Sequence, residues 1–268
     1  MDITFLNPGV DHMLQSILAF QEEDEAAFWS EPLYHFYPQL DRNHAASLPF
    51  PRRKEYIERT LRDAYPRLEG TIDERVSRYA RHWASCRGQV NAALTDAFGV
   101  DCGELFNDLR CHVGMNPIAP RFLRERRFDV FYLNSERGAV GLAIHELIHF
   151  VWFYVWNGLY RDSYDQYERP SLKWILSEMV VESVMRDPRL SSINPYFPRE
   201  AGGCIYPYFF DMEVGGAPIL DTLERMYRAQ PIQDFMKKRL CLLPGARDGD
   251  QGPHPKIRGL NGKIFPLS

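Results

Sequence analysis

The stretch AIHELIHFVWFYVW, residues 143–156, sets two histidines and a glutamate inside an otherwise apolar run. Polar side chains in such surroundings cost free energy unless something satisfies them. His145 and His149 stand at i and i+4, one turn apart on the same face of a helix. With Glu146 directly after the first histidine, the string reads H-E-x-x-H. Two imidazoles at this spacing can both reach one tetrahedral Zn2+ at about 2.0–2.1 Å. The adjacent glutamate is then set to act as general base on a metal-activated water. Ile144, Leu147, Ile148, Phe150 and Val151 leave the helix no polar face, so the three polar groups should be buried together. A metal ion supplies the partners they need. The bland alternative is a core histidine pair bonded to backbone carbonyls.

Residues 139–156 are also long and apolar enough to suggest a membrane span. The chain has no second apolar stretch of that length, and a lone span would leave His145, Glu146 and His149 facing lipid. A buried helix of a soluble protein, with no membrane partner, is the expectation.

A catalytic zinc site needs a third protein ligand and an open coordination position. The extended motif H-E-x-x-H-x-x-G-x-x-H would require a glycine and a histidine where Trp152 and Val155 stand. Downstream, the only histidine is His254, far off in the tail, so an acidic ligand is expected. Asp165, Glu168, Glu178 and Glu182 are the candidates. Glu168 lies in a loop ahead of Pro170, whereas Glu178 and Glu182 fall within WILSEMVVESVM, a second apolar helix. Ligation from a helix packed on the first is mechanically stiff. Glu178 is therefore assigned as ligand and Glu182 as the carboxylate that orients a zinc histidine. Glu182 and Glu168 stay open as alternative ligands.

The rest of the 268 residues frames this pair of helices. A net charge of −4 gives no basic field for nucleic acid, and 13% aromatic content argues against disorder. Five widely spaced cysteines without a CxxC pair suggest a reducing compartment, and the N-terminus lacks the features of a signal peptide, so a cytoplasmic protein is expected. Residues 1–105 read as a helical N-terminal portion. It has helices near 9–29 and 53–65 and a long one over 71–98, opened by a capping box at Thr71 and Glu74. Residues 30–53 hold four prolines and read as a connection. Alternation predicts strands at 109–115 and 128–134, joined by a proline-containing loop or irregular edge. Helices follow at 139–156, 171–187, 216–229 and 231–241. A catalytic portion is thus expected over 106–242, with a coil-like tail over 243–268. The basic cluster RFLRERR, 121–127, reads as a solvated loop. Phosphate-cradling loops and the G-x-S-x-G elbow are absent.

HELIH followed by SEMVVE resembles the gluzincin branch of the zincin metallopeptidases over about residues 140–185. The resemblance implies a predominantly helical α+β fold whose metal helix packs against a small sheet. It also implies one zinc per chain on His145, His149 and Glu178, with Glu146 as base and proton shuttle in the hydrolysis of a peptide or small protein. An edge strand, from 109–115 or 128–134, would receive the extended substrate. Two departures from the pattern are the long gap from His149 to Glu178 and the glutamate, rather than aspartate, at 182. An oxyanion donor is also needed, and Tyr206, Tyr208, Tyr164 and Tyr167 are eligible. Two rival readings are a zinc-dependent amidohydrolase on a non-peptide amide and a non-catalytic zincin-like binding protein. Cys111 lacks the surroundings of a deformylase ligand.

Overall fold

Ile3–Leu6, in the portion predicted to be helical, form a strand (β1) that pairs in parallel with a strand a hundred residues later. The computed structural model describes residues 1–22, 27–168, 171–195 and 207–239. Contacts divide the chain into two compact units, Met1–Arg87 with Phe106–Ala143 and Gly88–Leu105 with Ile144–Ser268. One boundary between the units lies at Leu105 and Phe106, and the units interleave along the chain; the predicted boundary near 242 and the expected tail over 243–268 lie outside the described residues.

In the first unit, Gly9 turns the chain with φ 82° from β1 into helix α1, Val10–Leu18, which buries Met13, Leu14, Ser16 and Ile17. The predicted helix over 9–29 thus stops at 18. The proline-rich connection contains two more helices, α2 (Ala27–Phe36) and α3 (Arg42–Ser47). Pro32 lies inside α2, where it removes one backbone donor without ending the helix. Asp41 caps α3 by accepting from the His44 amide at 3.0 Å.

The two helices expected over 53–65 and 71–98 are one, α4 (Phe50–Phe98). The capping-box pattern at Thr71 and Glu74 suggested a new start, but Ile57, Leu61, Tyr65, Ile72, Tyr79 and Trp83 are buried at helical spacing on both sides of Pro66. Continuity of that stripe outweighs the one lost hydrogen bond.

Two strands follow near their predicted places, β2 (Leu109–Gly114) and, after the two-residue β3 (Arg121–Phe122), β4 (Arg127–Phe131). The sheet order is β1-β2-β4-β3, with β3 antiparallel to β4 and the other pairs parallel. The central strands β2 and β4 are buried almost throughout, as parallel strands covered on both faces are. Their register sets His112 opposite Asp129.

Helix α5 runs from Glu136 to Tyr160, longer at both ends than predicted. Ser135 opens it by accepting from the Gly138 amide at 3.0 Å. Among the described residues it is the one helix long and apolar enough to cross a membrane, and 89% of its apolar window is buried.

The second unit adds α6 (Leu172–Met185), capped by Ser171, whose hydroxyl accepts from the Trp174 amide at 3.1 Å. A short α7, Pro188–Ser191, follows, and then a hairpin of β5 (Glu213–Val214) and β6 (Ala217–Pro218). Gly215 and Gly216 make its turn at φ 61° and 77°, a geometry that side chains resist. Helices α8 (Ile219–Ala229) and α9 (Ile232–Arg239) complete the unit, α8 starting three residues later than predicted because the hairpin takes those positions. Asp187 is held by Arg189 at 2.9 and 2.5 Å and accepts from the Tyr227 hydroxyl at 2.8 Å. Helix accounts for 64% of the fold, which is predominantly helical α+β with small sheets, as expected. Cys86, Cys102 and Cys111 are buried thiols, and burial pushes Cys102 up to about 11.

Candidate metal centre

α5 and α6 both lack a solvent face where they carry polar residues. From Ala143 to Phe153 every α5 residue is buried, and so is every α6 residue from Trp174 to Met185. Their hydrophobic side chains make the helices core elements, and helical spacing then decides which polar groups meet.

His145 and His149 bring their Nε2 atoms to 3.1 Å, with ring centroids 4.9 Å apart. Glu178 reaches across from α6 and straddles both rings. One carboxylate oxygen lies 3.6 Å from His145 Nε2 and the other 3.4 Å from His149 Nε2. Glu146 Oε1 is 3.9 Å from His145 Nε2. Ligand atoms around a tetrahedral zinc with bonds of about 2.0–2.1 Å stand about 3.3 Å apart, so these separations fit a common ion. The donor set of two imidazoles and a carboxylate is also that of a catalytic zinc. His149 is fully buried, while the side chains of His145 and Glu178 keep 9% of their surface.

The predicted residues divide clearly. His145, His149 and Glu178 come together as a group that could hold a metal ion, with Glu146 beside them. Glu168 and Asp165 are exposed on the loop between the helices, which favours Glu178 among the candidate ligands. Glu182 is buried and faces Arg186 at 3.5 Å; Arg186 in turn meets Glu224 of α8 at 3.5 Å. Of the tyrosines, Tyr167 is wholly buried, stacks on Phe153 at 4.4 Å and accepts from Asn157 at 3.0 Å. Phe153 lies parallel to the His149 ring, so this aromatic column steadies the imidazole. Tyr164 is 43% exposed. Tyr206 lies outside the described residues, as does the side chain of Tyr208.

A second group, His12, His112 and Asp129, was not foreseen. Its signal was the one that marked α5, polar residues in apolar stretches. In LRCHVGM (109–115) and FDVFYLN (128–134), His112 and Asp129 are such residues, and these two are register partners. Burial pushes the His112 imidazole down to about 4. Arg127, read as part of a solvated basic loop, turns its side chain to this group instead.

Comparison of the chain with known proteins finds no matching family model, curated protein or solved structure.

Proposed function

We propose that this chain is a zinc-dependent metallopeptidase of the gluzincin-like kind, acting on peptide or small protein substrates. The observation that carries the reading is the approach of His145, His149 and Glu178 to one another beside Glu146, in a pair of buried helices. Those three side chains would hold one zinc. A bound zinc supplies a Lewis acid that polarises the scissile carbonyl and lowers the pKa of water toward about 7.

The chain's own residues do the remaining work. A carboxylate oxygen of Glu146 takes the proton of the attacking water as its oxygen bonds to the carbonyl carbon. The same carboxyl then gives that proton to the amine nitrogen as the C–N bond breaks. Glu146 is 4% exposed, so bulk water is largely excluded from the proton transfer. The Phe153–Tyr167 stack and the α6 backbone fix the ligands before substrate arrives. Cytoplasmic residence without a nucleic-acid or membrane partner belongs to the same reading, supported by a net charge of −4 and the burial of α5.

Plasma mass spectrometry of the purified full chain should find zinc, with one equivalent lost in His149→Ala. A peptide library incubated with the wild-type protein should show metal-dependent cleavage. Zinc content unchanged in the variant would overturn the metal assignment. A zinc-loaded protein that cleaves only non-peptide amides, or nothing, would overturn the peptidase assignment.

A further inference from the structure

We propose that His12, His112 and Asp129 form a second metal site, one that takes a divalent first-row transition ion of the zinc class. The three residues come from α1, β2 and β4 of the first unit. His12 Nε2 lies 2.9 Å from His112 Nδ1, and Asp129 Oδ1 lies 3.8 Å from each. A hydrogen bond between the rings would account for the first distance alone. It does not involve Asp129 Oδ1, which faces both nitrogens from beyond hydrogen-bond range and has the Arg127 guanidinium as its partner at 3.3 Å. The three ligand atoms, 2.9–3.8 Å apart, bracket the separation of about 3.3 Å between ligand atoms of a tetrahedral ion, so small side-chain shifts would let all three reach one ion.

The surroundings are built to aim that oxygen. Ser16, one turn along α1 from His12, donates to Asp129 Oδ2 at 2.7 Å and is held by Asn116 at 2.9 Å. Oδ2 is thereby occupied, and Oδ1 is turned to the histidines, the supporting arrangement that metal carboxylates use. His112 and Asp129 are 8% and 5% exposed, whereas the His12 side chain keeps 23% of its surface and marks an entry path. Two imidazoles and one carboxylate select zinc and its first-row neighbours over calcium or magnesium, which prefer all-oxygen sites.

Arg127 works against the ion. Its Nη1 sits 3.4 Å from His12 Nε2 and 3.3 Å from Asp129 Oδ1. The guanidinium has other anchors, however: Nε donates to Glu125 at 2.6 Å, and the group lies 3.5 Å over the Phe122 ring. It therefore lowers the affinity without taking the ion's place, and removing its charge tightens binding.

The test is a Co2+ titration of the chelator-stripped full chain, read by visible absorption and equilibrium dialysis. Wild type should bind two equivalents, and His12→Gln and His149→Ala one each. His12 is partly exposed, so its variant should fold, and Asp129→Asn provides an isosteric second. Loss of one ligand should weaken this site by more than about tenfold, and Arg127→Gln should tighten it by roughly tenfold. Binding unchanged in both His12→Gln and Asp129→Asn would overturn the proposal. So would affinity that stays level or falls in Arg127→Gln. A single equivalent lost only in His149→Ala would sink this site and leave the α5–α6 centre standing. A single equivalent lost only in His12→Gln would do the reverse.

Discussion

The two histidine–carboxylate groups have the same ligand types but opposite electrostatic settings. Around His145 and His149 stand two carboxylates, Glu178 and Glu146, both buried. Around His12 and His112 stands one, Asp129, with the Arg127 guanidinium 3.3 Å from it. The first arrangement favours a cation strongly and, on the proposed reading, leaves Glu146 over for chemistry. The second is nearly balanced by the protein's own positive charge. A fourth carboxylate, Asp187, completes the series, with the Arg189 guanidinium as its charge partner. The more of the positive charge a protein provides itself, the less it needs from solution.

The largest effect expected from this contrast is on turnover. Glu146→Gln should cut peptide hydrolysis by about 10²–10⁴ while leaving zinc content at the wild-type level. Loss of zinc with loss of activity would make Glu146 a metal partner and break the contrast.

The next concerns stability. Arg189 holds the Asp187 carboxyl down to about 2 from 3.8, despite the opposing effect of burial. A carboxyl lowered on folding contributes stability that is whole above its unfolded value and is lost as pH falls through its folded one. Acid should therefore remove this contribution between pH 3.8 and about 2, in buffer with or without chelator. Asp187→Asn should cost about 1–3 kcal/mol in urea unfolding at neutral pH and flatten that acid slope. A chelator-dependent slope would show that Asp187 is not partnered as described.

The smallest effect should come from Ser16→Ala. It frees Asp129 Oδ2 to turn and should weaken Co2+ binding at the α1–β2–β4 group by about tenfold, with the α5–α6 centre unchanged. Equal weakening of both would point to a general loss of structure.

How much was legible follows from where the partners sit in the chain. The α5 histidines could be read because one helix fixes their relation without reference to anything else. Glu178 could be narrowed down because α6, like α5, has no face on which to put a solvated carboxylate. The second group was hidden because its residues lie at positions 12, 112 and 129, the last two brought together by a parallel register and the first carried in on α1. β1 was missed for the same reason, four residues whose partner strand lies beyond α4. Thr71 and Glu74 misled in the opposite direction. They carry a local signal for a helix start that the buried stripe of α4 overrides.

The buried thiols give these ideas a clock. Cys86 and Cys111 belong to one contact unit and Cys102 to the other. A thiol shielded by burial reacts with an alkylating reagent only when its surroundings open. Iodoacetamide labelling followed by peptide mapping would thus time the opening of each unit separately, within one unmodified chain. Adding or withdrawing metal during the reaction would show which ion slows which clock.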